Sequence, residues 1–130
     1  MFAEVAAKAG AERGSGGTPA RGAAAAALER FLQRSRDARG AAILARDQLV
    51  AASGDERRWA QAARELAAAA DAGAPGGRAS SAHVATERGE AFLLRRDPFA
   101  MVAVCQRFAL ASLVLTDMRA ALRELAEASD

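Results

Sequence analysis

Of 130 residues, 38 are Ala, 17 Arg and 11 Gly, which leaves 29 larger apolar side chains to build a core. Only Met1, Phe2 and Val5 of these precede Leu28, so one core spread over about 100 residues is expected, too small for two domains and large enough to need no disulfides. Eighteen basic residues against 16 acidic give a net charge of +2, so nucleic-acid binding would have to rest on arginine clustering rather than on charge excess. Cys105 is the single cysteine, which excludes a disulfide framework, a cysteine zinc site and a CxxC redox centre.

Residues 1–17 end in Gly14-Ser15-Gly16-Gly17 and read as a flexible tail, with the domain proper over 18–130. The tail has no apolar stretch of a signal peptide, and no run in the chain reaches the roughly 18–20 residues of a membrane helix, so neither a signal peptide nor a membrane span is expected, and the lone cysteine suits an intracellular protein. Thr18-Pro19 is a helix start, with a capping residue and a proline in the first turn, where a missing N–H costs nothing. Ala24, Leu28, Phe31, Leu32 and Ser35 then form one stripe opposite Glu29, Arg30 and Arg34. Gly40 is expected to close this segment. Two apolar strands follow, 41–45 and 49–53, around the turn Arg46-Asp47-Gln48; neither alternates, as for strands covered on both faces.

Gly54-Asp55-Glu56 caps a second helix over 57–72, ended by Gly73 and Pro75. Trp59, Ala62, Ala63, Leu66 and Ala70 are its expected core stripe, with Ala60, Ala67 and Ala68 on a second, small-residue face. After a Gly/Pro loop, 81–88 and 90–96 make a hairpin around Gly89 with Val84, Phe92 and Leu94 inward. Asp97-Pro98 interrupts the ladder, and the wholly apolar 101–105 is a central strand. The last helix carries Leu110, Leu113, Val114, Met118, Ala121, Leu122 and Leu125 at helical spacing; Arg123 and Glu127 on its other side are placed to pair. The order αββαβββα predicts an α+β fold: a single five-stranded antiparallel sheet flanked by helices on both faces.

Groups for catalysis are sparse. The lone His83 lies in an expected strand and Cys105 in an apolar run, so both read as structural, and no nucleophile elbow, phosphate loop or metal-ligand spacing is present. No catalytic residue, cofactor or metal is therefore expected, and the chain reads as no enzyme. The pairs Arg57-Arg58 and Arg95-Arg96 could meet acidic or phosphate-bearing partners, but among 17 arginines solvated faces are the better reading.

Three stretches resemble the Roadblock family, shared by roadblock-type dynein light chains and bacterial regulators of small Ras-like GTPases. They are Gly40 to Ser53 as the first hairpin, Arg88 to Leu94 as the turn into the fourth strand, and Met101 to Cys105 with the helix carrying Met118, Arg119, Arg123 and Leu125. One departure is Gln48, where the family usually has Gly, which implies a different turn geometry. The resemblance implies a roadblock, profilin-like fold and a cytoplasmic bacterial homodimer in which an edge strand and the middle helices join. Here those are Ala82, His83, Val84, Ala85 and Thr86 on the strand and Ala60, Ala67 and Asp71 on the helix. It also implies a non-catalytic signalling scaffold that binds a small Ras-like GTPase, with Arg57, Arg58, Gln61, Arg64, Glu65 and Ala68 as the contact candidates. The competing reading is a sensory α/β module holding a small ligand between sheet and helix, for which the sequence shows no polar constellation. Nucleic acid is not expected as a partner, because the arginines lack an aromatic stacking platform.

Overall fold

The computed structural model describes residues 18–128, and the tail expected over 1–17 lies outside them. Helix α1 (Thr18–Arg34) turns Ala24, Leu28 and Phe31 inward and keeps Glu29, Arg30 and Arg34 exposed, as the spacing predicts. Strands β1 (Ala38–Ala45) and β2 (Gln48–Ala52) form the first hairpin. Gly40 does not close the helical segment but lies inside β1 opposite Val104, under the Trp59 indole. The turn is a two-residue one: Ala45 pairs with Gln48, and the positive φ values fall on Arg46 (51°) and Asp47 (68°). Gln48 is thus a strand residue that lies outside the positive-φ pair of the turn.

Helix α2 (Glu56–Ala72) is followed by a short 3-10 turn and by β3 (Ser81–Ala85), β4 (Glu90–Arg96), β5 (Phe99–Cys105) and helix α3 (Ala111–Ala128). The sheet order is β2-β1-β5-β4-β3, antiparallel throughout. The fold is α+β, one five-stranded antiparallel sheet with helices on both faces. Helices α1 and α3 cover Ala41, Ile43, Phe92, Leu94, Met101, Ala103 and Cys105, and α2 covers Ala42, Leu44, Leu49, Leu93 and Val102. The central β1 and β5 are buried on both faces, which explains their unbroken apolar runs. Strand β2 is instead an edge strand, fully buried only at Leu49.

Three expected core positions are corrected by packing. Val84 is 42% exposed because β3 ends the sheet, and Leu110 and Leu113 are each 59% exposed. Leu110 precedes α3, where its carbonyl accepts from Leu113 N and Val114 N, and Leu113 falls on the outer side of the first turn. Among the described residues Arg123 and Glu127 form no ion pair; Glu124 binds Arg30 of α1 instead.

Candidate interaction surface

The position of α2 is set at both ends by polar contacts. At its start the Asp55 carboxylate accepts from Arg57 N (2.9 Å) and Arg58 N (3.4 Å), satisfying two of the free amides of the first turn. Trp59 Nε1 donates to Ser53 O at 2.5 Å, and the Ser53 hydroxyl accepts from Ala41 N and donates to Ala41 O, so the β2 end, β1 and α2 are held together. The indole lies over Gly40 of β1, packed against the core under α2. Ala63 packs into the core between α2 and the sheet, and Ala60 (3% exposed) is buried while Ala62 is exposed, the reverse of the expectation for Ala60 and Ala62.

At the other end Asp71 and Arg95 form a clamp. Arg95 Nη1 donates to Asp71 Oδ1 (2.6 Å) and Ala79 O (2.7 Å), Nη2 donates to Asp71 Oδ2 (3.2 Å), and Ala79 N donates to Asp71 Oδ1 (2.8 Å). The Arg95 guanidinium, the cationic neighbour of a carboxylate that also accepts a backbone N–H, holds the Asp71 carboxyl below the usual carboxylate range. Arg95 is 8% exposed as a side chain and held by Asp71 and the Ala79 carbonyl, so it is not a free partner for an outside anion. Neither residue could have been paired from sequence, because 24 positions separate them.

The six contact candidates form a row. Arg57, Arg58, Gln61, Arg64, Glu65 and Ala68 are all exposed and recur at helical spacing along the outer side of α2, with Gln61 Nε2 donating to Glu65 Oε1 at 3.3 Å. The interface candidates divide. Ala60 is already covered within the chain, Ala67 packs half-buried on the α2-side core, and Asp71 is held by Arg95. Ala82 is half-buried on the α2 face of β3, whereas His83, Val84, Ala85 and Thr86 are exposed along the strand and the turn after it.

Strand β3 pairs with β4 on one side and ends the sheet on the other. Between it and the C-terminal half of α2 runs an open groove of about 680 Å³, lined among others by Leu66, Ala70, Pro75, Ala82 and Val84. His83 stabilises the strand from the opposite face. Its ring stacks on Phe92 with 4.4 Å between centroids, and Nε2 lies 2.5 Å from Glu90 Oε1, while Glu90 Oε2 accepts from Ala109 N at 2.9 Å. Thr86 closes the turn: its hydroxyl donates to Gly89 O (2.8 Å) and accepts from Arg88 N and Gly89 N.

Cys105 is completely buried and its thiol is pushed up to about 11, mainly by burial and then by the nearby Asp37 and Glu90 charges. Among the described residues no group of three or more His, Cys, Asp or Glu could hold a metal ion, and no helix is long and apolar enough to cross a membrane.

No family model and no curated protein matches the sequence. Solved structures do match the fold. The Roadblock/LC7 domain from Streptomyces avermitilis superposes with a TM-score of 0.65 at 15% identity, covering 79% of this chain and 94% of that one. The gliding protein MglB from Thermus thermophilus gives 0.69 at 21% identity, covering 87% and 92%. MglB of Myxococcus xanthus gives 0.67 at 14% identity, covering 82% and 87%. The chain thus has the Roadblock/LC7 fold, the class that the three sequence stretches resemble.

Proposed function

We propose that the chain is a non-catalytic, homodimeric regulator or scaffold of a small Ras-like GTPase. The observation that carries this reading is the juxtaposition, on a Roadblock/LC7 fold, of an open sheet edge at β3 with a row of exposed polar side chains on α2. An unpaired edge presents free N–H and C=O groups to a second strand, and the adjacent groove offers apolar surface for a second α2. Two α2 helices brought side by side would display their outer rows as one continuous surface. The row Arg57, Arg58, Gln61, Arg64, Glu65 and Ala68 then contacts the GTPase, and β3 with the Ala67 end of α2 makes the dimer.

The likeness to gliding-protein MglB structures and the family resemblance both support this choice over a ligand-binding sensor. The decisive experiment is capture of a Ras-like GTPase encoded beside this chain, with wild type and Ala68→Glu compared. Ala68 is exposed, so the charge should weaken GTPase capture while leaving the fold intact. Failure of the wild type to retain such a GTPase in either nucleotide state would overturn the functional reading and leave the fold untouched.

A further inference from the structure

The alternation of β4 separates the Arg95-Arg96 pair. Arg95 faces α2 and is held by Asp71, whereas Arg96 shares the α1/α3 face with Phe92 and Leu94. On that face α3 carries Arg119 and Arg123 one turn apart, and all three lie around a single concavity of about 250 Å³ that also includes Leu94, Arg95 and Leu122. Arg96, Arg119 and Arg123 are exposed. Among the described residues none of them has an acidic side chain within ion-pair distance, since Glu124 is engaged by Arg30 and Asp97 by Arg78.

We propose that this concavity binds the phosphoryl group of a small soluble ligand, on the sheet face opposite the surface assigned to the GTPase. Three like charges gathered over buried Leu94 and Leu122 repel one another, and a bound anion relieves that repulsion. Charge count selects the anion. A single carboxylate returns one negative charge against three positive, whereas a phosphomonoester brings about 1.5 to 2 and three acceptor oxygens suited to planar guanidinium forks. Size points the same way, because the volume lies below the roughly 300–1,000 Å³ of pockets for drug-sized ligands.

The test titrates the full chain with sodium pyrophosphate at low salt and follows backbone amide and guanidinium resonances. Saturable shifts centred on Arg96, Arg119 and Arg123 are expected with a dissociation constant below about 1 mM, weakened at least about tenfold in Arg119→Ala/Arg123→Ala. Alanine at exposed helical positions favours folding, so loss of binding in that variant reports the site. Arg57→Ala/Arg58→Ala, which probes the GTPase surface, should bind pyrophosphate like wild type; this keeps the two proposals separable. Equal affinity in the Arg119/Arg123 variant, shifts centred on other arginines, or equally tight binding of citrate overturns the site or its phosphoryl preference. Co-sedimentation with phosphoinositide vesicles without any response to pyrophosphate overturns the soluble ligand.

Discussion

Gly40 and Trp59 show how one side chain of no size permits a large one. A Cβ on Gly40 would lie 2.9 Å from Trp59 Cζ2 and 3.0 Å from Ser53 Oγ, so the indole rests on the strand only because nothing projects there. Gly40→Ala should lower unfolding stability by about 1–3 kcal/mol, as overpacking does, with Trp59 fluorescence reporting the displacement. An unchanged urea midpoint would contradict this contact. Gly89→Ala should be worse, since its Cβ would stand 2.4 Å from the Cys105 carbonyl oxygen, a backbone atom that cannot swing aside. Asp71 gives a pH signature. Its folded carboxyl titrates below the ordinary 3.8, so its contribution is present above that value and is lost as the pH falls through the lower folded one. Asp71→Asn should be less stable at neutral pH, with the difference from wild type shrinking in that acid window. A difference that stays constant through the acid limb of a denaturation series would rule the clamp out as its source.

At the scale of elements, α2 and β3 are each divided between two tasks. The inner side of α2 packs Ala63, Leu66, Ala67 and Ala70 against the sheet, and the outer side keeps its polar row in solvent. Strand β3 is stapled to β4 by the His83 stack on Phe92 and the Glu90 contact, while its other edge stays open. If that edge pairs with a second chain, Val84→Glu should shift the protein to monomer in sedimentation velocity while changing monomer stability by no more than about 0.5 kcal/mol, because the residue is already exposed. A dimer that survives the substitution would move the interface off β3. Element types and order were legible from periodicity and turn residues. The phase of α2 was not: the pattern put Ala62 inward and Ala60 outward, whereas in the fold Ala60 is buried and Ala62 exposed.

For the whole molecule, association should be visible as a melting temperature that rises with protein concentration, the mark of a folded state coupled to dimerisation. A melting temperature constant over roughly a hundredfold dilution, a range over which mass action is easy to read, would leave the chain a monomer. Cys105 offers a second global check. With its thiol buried and raised to about 11, it should react with a thiol reagent only as fast as the domain opens. The architecture follows from the order of amino acids alone: the apolar runs of β1 and β5, the stripes of α1 and α3, and the turn signals specify one sheet between helices, because hydrophobic periodicity and turn chemistry are local properties of the chain. Which exposed groups are free was settled by packing between distant segments. Arg95 and Arg96 are adjacent in sequence, yet the strand sends one into the Asp71 clamp and the other to Arg119 and Arg123. Alternation and long-range packing, rather than residue type, assign each arginine its environment.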